Sequence, residues 1–169
     1  AAMNEGLIST NTVIDCERGG WRYANRTLRD KVYGQQPVSV IIQKSSNIGT
    51  AKIALQLGNN RMYHYLRGAG FAEPLGIDLP GEERGILDPP RSWPQIKITR
   101  VAIGQGISVT ALQMATLYSA IANGGQRMRP LILKRITTAE GEVILEREPT
   151  PHGPPLLKPE VAAQMRAML

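Results

Sequence analysis

Ser45 and Asn47 place a hydroxyl group and a carboxamide two residues apart. Both groups can donate and accept hydrogen bonds, as a site that holds a polar substrate requires. The same residue types are preferred at helix N-caps, because their side-chain oxygens accept the free N–H groups of a helix's first turn. Residues 44–50 therefore have two interpretations, which are a site facing a cleft and a simple helix cap.

Two helices are predicted to position this pair. Apolar residues recur at helical spacing before it, over residues 37–43, and after it, over residues 48–57. Pro37 suits the first turn of the first helix, and Gly58 suits the end of the second. A short polar break between two apolar helices can hold side chains at a fixed position over a cleft.

Composition favours a single turn-rich globular domain. The chain has 169 residues with 17 Gly and 12 Pro scattered along it, and no internal repeat. The net charge is +6, but the basic residues are spread rather than clustered, so nucleic-acid binding is not favoured. No apolar run is long enough to predict a membrane span, and no segment has the pattern of a signal peptide.

Few residues could bind a metal. Cys16 is the single cysteine, which excludes an internal disulfide and any site with several thiolate ligands. His64 and His152 lack the spacing of a metal-binding pair, and His64 is interpreted as a surface or half-buried ring. We therefore expect no metal and no cofactor.

The second half of the chain contains one well-specified helix. Thr110 and Gln113 form a capping box at its start, and Gly124 is a stop signal after it. An apolar stripe at helical spacing predicts its core face, comprising Met114, Leu117, Tyr118 and Ile121.

Residues 70–95, before this helix, are predicted to be irregular, with the adjacent Glu82 and Glu83 in a solvated turn. Residues 130–137 and 142–146, after it, predict a hairpin with Gly141 in its turn. A last helix is expected near Pro159.

Four segments together resemble a known family. They occur in this order: Gln43-Lys44-Ser45-Ser46-Asn47-Ile48-Gly49, Gly76-Ile77-Asp78-Leu79-Pro80-Gly81-Glu82, Gly104-Gln105-Gly106-Ile107-Ser108-Val109-Thr110 with Gln113, and Ile121-Ala122-Asn123-Gly124-Gly125. The first resembles the Ser-x-Asn motif of class B penicillin-binding proteins, the D,D-transpeptidases of peptidoglycan synthesis. The likeness covers roughly residues 28–169 and is greatest to the division and elongation enzymes.

The resemblance implies an α/β (α+β) fold of the serine β-lactamase-like type. Residues 1–169 would form a partial transpeptidase domain truncated at both ends: most of the helical part, one β-hairpin and an incomplete sheet. It implies that Ser45 is catalytic and relays a proton, and that Asn47 binds the substrate's peptide backbone. The family's Ser-x-x-Lys nucleophile motif and its Lys-Thr-Gly motif are absent from the chain.

The same resemblance implies partners and location for a full-length parent. The parent would bind peptidoglycan stem peptides and β-lactams, and would work with other cell-wall synthesis, divisome or elongasome proteins. It would lie on the extracytoplasmic (periplasmic) face of the bacterial cytoplasmic membrane, anchored by a segment outside this chain. The isolated chain is expected to form no covalent penicillin adduct and to self-associate.

Two other interpretations stay open at this stage. One is a non-catalytic β-lactam sensor or structural module of the same fold. The other is an unrelated helical interaction domain, in which residues 45–47 only cap a helix. A cleft at Asn47 distinguishes the family interpretations from the last one.

Overall fold

The computed structural model of the protein describes residues 1–169. It contains six α-helices and six short strands, which confirms the α+β class. In chain order these are β1 (Val13–Asp15), β2 (Gly20–Tyr23), β3 (Arg26–Arg29), β4 (Gln35–Pro37), α1 (Val38–Gln43), α2 (Asn47–Leu57), α3 (Asn59–Gly68), α4 (Lys97–Val101), α5 (Ala111–Ala122), β5 (Arg135–Thr137), β6 (Val143–Glu146) and α6 (Pro159–Met168).

The strands form only two-stranded antiparallel sheets. β1 pairs with β4, β2 with β3, and β5 with β6. The last pair is the predicted hairpin, and Gly141 in its turn has φ of +92°. The predicted incomplete sheet is therefore observed, and helices supply most of the packing.

The helices α1 and α2 lie at the centre of the core. Ile41 of α1 and Ile48 of α2 are fully buried. The two helices approach closely at Gly49, where an added Cβ would lie 2.8–2.9 Å from atoms of Ile41. Further along α2, Ala54 packs in a cluster with Trp93. This packing fixes the direction of the turn between α1 and α2.

Helix α5 buries only part of the predicted stripe, because Ile121 is buried and Met114 and Leu117 are half-buried. The capping box is confirmed, because Thr110 Oγ1 accepts from Gln113 N and Gln113 Oε1 accepts from Thr110 N. The prediction of Tyr118 as a core residue is wrong, since it is 52% exposed. The buried residues are Gln113, Thr116, Ala120 and Ile121.

The hydrogen bonds of Gln113 explain which residues of α5 are buried. Its Nε2 donates to the carbonyl oxygens of Glu73 and Arg84, both at 3.0 Å. Helix α5 therefore packs against the irregular segment 70–95 through polar groups that are satisfied by loop carbonyls. An apolar-stripe rule cannot detect such a face.

The segment 70–95 is also organised by Glu82. Its carboxylate accepts hydrogen bonds from the backbone N–H groups of Leu75, Gly76 and Ile77, at 2.6, 3.0 and 3.2 Å. The interpretation of Glu82 as part of a solvated turn is therefore wrong, because this side chain closes the loop.

None of the helices in the structure is long and apolar enough to cross a bilayer.

Candidate functional site

The turn between α1 and α2 places Ser45 in an uncommon backbone conformation. Ser45 has φ of +52°, in the left-handed region. The N–H of Ser46 donates to the carbonyl of Ile41 at 2.9 Å, and that of Ser45 donates to Ile42 at 3.1 Å. These two bonds form a Schellman motif, in which glycine normally takes the left-handed position. A serine there costs about 1–3 kcal/mol of backbone strain, which the surrounding packing must offset.

Ser46, and not its neighbours, caps α2. Its Oγ accepts from the backbone N–H of Gly49 at 3.0 Å and donates to Asp30 Oδ2 at 2.6 Å. Ser46 is buried, whereas Ser45 and Asn47 are exposed. The helix-cap interpretation is therefore correct for Ser46 alone, and it leaves the other two side chains free for another role.

Asp30 holds the turn from the side. Its Oδ2 accepts from Ser46 Oγ and from the N–H of Ile48 at 2.8 Å. Its Oδ1 accepts from the N–H groups of Lys31 and Val32 at 2.7 and 3.0 Å. Burial by itself raises the pKa of Asp30, but the hydrogen bond from Ser46 and those from the three backbone N–H groups together lower that pKa below its ordinary value.

Sequence reasoning missed Asp30. The residue follows β3 and lies 16 residues before Ser46 along the chain, with no motif connecting the two. Only the packing of β3 beside α2 brings them together. An acidic residue close after a strand is too common a pattern to single it out.

Ser45 and Asn47 line one concavity of about 390 Å³. The other wall comes from Ala102, Ile103 and Tyr118. The amide of Asn47 donates to the carbonyl oxygen of Arg29 at 3.3 Å, which leaves its own carbonyl oxygen free. The hydroxyl of Ser45 makes no hydrogen bond within the chain. The structure thus gathers both predicted site residues, with unused hydrogen-bonding capacity, at the same depression.

No base is placed to activate Ser45. The ammonium of Lys52 donates to the carbonyl of Asp15 at 2.7 Å and pairs with Glu17, and Lys44 is exposed. A nucleophilic serine needs a base within hydrogen-bond reach. No group of three His, Cys, Asp or Glu side chains is arranged to hold a metal ion. The chemistry open to the site is hydrogen bonding, since the Ser45 hydroxyl can donate and accept and the Asn47 carbonyl oxygen can accept.

Comparison with known proteins shows the family of the chain. The family described as the penicillin binding protein transpeptidase domain matches residues 1–169. The penicillin-binding protein PbpB of Mycolicibacterium smegmatis is 35% identical over 99% of this chain and 26% of its own length. The protein PbpC of Pseudomonas aeruginosa, named a probable peptidoglycan D,D-transpeptidase, is 28% identical over 100% of this chain and 28% of its own length.

Solved structures of penicillin-binding proteins are also similar to this chain. Penicillin-binding protein 3 of Mycobacterium tuberculosis, complexed with ampicillin, superposes with a TM-score of 0.89 at 34% identity, covering 100% of this chain and 37% of that one. The transpeptidase domain of Burkholderia pseudomallei penicillin-binding protein 3 gives 0.87 at 30% identity, covering 99% and 48%.

The chain therefore belongs to the penicillin-binding protein transpeptidase domain family. It spans about a quarter of the length of the curated relatives it matches, and about half of the Burkholderia transpeptidase-domain structure.

Proposed function

We propose that the protein containing this chain is a peptidoglycan D,D-transpeptidase, and that the chain contributes the Ser45–Asn47 part of its active site. The observation that carries the proposal is the turn between α1 and α2. There Ser46 takes the capping role, and a strained backbone at Ser45 leaves two hydrogen-bonding side chains facing one concavity. The relatives named as transpeptidases support the reaction.

The two side chains then have distinct roles. The Ser45 hydroxyl relays a proton among the nucleophilic serine, its lysine base and the leaving amine, which requires it to donate and accept at once. Asn47 holds the backbone of the donor peptide through its free carbonyl oxygen and its amide. The hydrogen bond from Asn47 to the carbonyl of Arg29 sets the orientation of that amide.

The nucleophile, on this proposal, lies outside these 169 residues. No Ser-x-x-Lys and no Lys-Thr-Gly sequence occurs within them. An apolar groove of about 200 Å³ between α1, α2 and α6, lined by residues such as Ile42, Ile53 and Met165, also lies open in this part of the fold. Further elements of the domain would cover it. The isolated chain would then expose apolar surface and self-associate.

The partners follow from the reaction. The substrate is the peptide stem of peptidoglycan, which acylates the nucleophilic serine. β-Lactams acylate that serine instead of the stem peptide. Such an enzyme acts at the extracytoplasmic face of the cytoplasmic membrane, beside other proteins of cell-wall synthesis and division. The chemistry requires no cofactor, because side chains supply the nucleophile, the base and the relay.

Labelled penicillin tests the proposal. In the full-length protein we expect one covalent adduct per molecule, on a serine outside residues 1–169, and cross-linking of stem peptides by the unlabelled protein. In the isolated chain, intact-mass measurement should show no adduct and light scattering should show self-association. An adduct on Ser45 would refute the assignment of the nucleophile, and acylation without any cross-linking would favour a β-lactam sensor.

A further inference from the structure

A second cavity shares no lining residue with the Ser45–Asn47 concavity. Its volume is about 460 Å³, and it lies beside α3, the start of the chain and residues 152–156. This volume falls within the range of roughly 300–1,000 Å³ found for small-molecule sites. Its acidic and basic lining residues, histidines included, are Glu5, His64, Arg67, Glu73, Arg127 and His152.

Arg127 is the exceptional residue of this cavity. It is only 6% exposed, and its guanidinium donates no hydrogen bond within the chain. Its Nη1 is fully buried without a partner. The guanidinium packs against Gly70, which has φ of +91° and where any Cβ would overlap Nη1. A buried charge without a partner is costly to fold, so an unpaired arginine at the wall of a cavity indicates a site for an anion.

The other charges around the cavity are already balanced. Arg67 pairs with Glu73 at 2.9 Å. Glu5 pairs with Arg61 at 3.7 Å and also accepts from the hydroxyl of Tyr65 at 2.7 Å. Burial, followed by the nearby Arg127 and Arg129, lowers the pKa of His152. The His152 ring is therefore neutral at pH 7 and still offers one N–H donor. One positive charge is left over, that of Arg127.

This balance determines the class of ligand. A guanidinium fork matches a planar carboxylate, to which it donates two parallel hydrogen bonds. Phosphate carries more negative charge, and the carboxylates of Glu5 and Glu73 in the lining disfavour it. We propose that this cavity binds a small monocarboxylate, with Arg127 as the principal donor and His152 as a second donor. Such a site would be separate from the β-lactam site.

The test uses the full-length protein and a matched pair of probes. N-acetylglycine carries one carboxylate, and N-acetylglycinamide has the same shape without the charge. Calorimetric titration should show binding of the acid, with a rise in Tm, and at least tenfold weaker binding of the amide. Inorganic phosphate at the same concentration and ionic strength should bind more weakly than the acid.

Two variants test whether the acid binds at Arg127. Arg127→Gln should weaken acid binding by about tenfold or more, in line with the loss of a charged hydrogen bond. Arg129→Gln, which removes a nearby exposed arginine outside the cavity lining, should leave binding within twofold. Equal binding of acid and amide, or unchanged binding by Arg127→Gln, would overturn the proposal, and stronger binding of phosphate would overturn the choice of a carboxylate. If Arg127→Gln does not fold, the acid and amide pair on the unmodified protein still decides.

Discussion

Asp30→Asn is the substitution that best tests how the Ser45–Asn47 turn is held. The carboxylate of Asp30 accepts four hydrogen bonds, two at each oxygen. Asparagine keeps one oxygen and presents an NH₂ group in place of the other. If the oxygen keeps the bonds to Lys31 and Val32, the NH₂ group faces the N–H of Ile48, which then loses its acceptor.

The expected cost follows from these bonds. A hydrogen bond to a charged group contributes about 1.5–3 kcal/mol, and an unsatisfied donor costs about 1–3 kcal/mol. Because Asp30 is partly exposed, water replaces part of the loss, and we expect Asp30→Asn to lower the free energy of unfolding by about 2 kcal/mol. The folded pKa of Asp30 lies below 3.8, so its contribution is present above pH 3.8. The contribution is lost as pH falls through the folded pKa.

Two measurements check this prediction. Urea denaturation gives the free energy of unfolding, and the rate of acylation by a fluorescent penicillin, in the full-length protein, reports on the turn. Acylation should slow, because the start of α2 that carries Asn47 is no longer fixed. Asp15→Asn is the matched control, since that carboxylate accepts a single local hydrogen bond from Glu17 N, which an amide oxygen can also accept. Equal stability and equal acylation rates for the two variants would refute the role of Asp30.

Three further predictions concern other parts of the fold. Thr110→Ala removes the acceptor for the N–H of Gln113 and should cost about 1 kcal/mol in urea denaturation; no change would contradict the capping box. Gly125→Ala should lower the free energy of unfolding by more than about 2 kcal/mol, because φ at Gly125 is +96° and the new Cβ would overlap the carbonyl of Leu157. A variant as stable as the unmodified protein would contradict this packing. Because the pKa of His152 is lowered in the folded protein, the unfolded state binds more protons just below pH 6.5, and the free energy of unfolding should fall as pH drops through this range. His152→Gln should flatten this pH dependence. An unchanged pH profile in the variant would contradict the prediction.

The sequence was sufficient to predict the helices around the Ser45–Asn47 turn. Their apolar residues recur at helical spacing, and Gly58, with φ of +82°, ends the second helix as expected. The hairpin of β5 and β6 was predictable for the same local reason, because Gly141 marks its turn. In each case a signal within a few residues decides the local structure.

The sequence was not sufficient where distant segments meet. The buried face of α5 depends on Gln113 reaching carbonyl groups at residues 73 and 84. The capping role of Ser46 depends on Asp30 and on a left-handed Ser45. These contacts depend on how loops pack on helices, and they cannot be predicted from the spacing of residues along the chain.

The central claim is that Asn47 binds substrate in a transpeptidase active site. The most direct measurement is the acylation rate constant of the full-length protein with a fluorescent penicillin, for Asn47→Ala and for the control Asn60→Ala in the exposed first turn of α3. We expect Asn47→Ala to slow acylation by tenfold or more, equivalent to about 1.4 kcal/mol of transition-state stabilisation. Unfolding free energy should stay within about 1–2 kcal/mol of the unmodified protein. Acylation of Asn47→Ala at the rate of Asn60→Ala would contradict the claim.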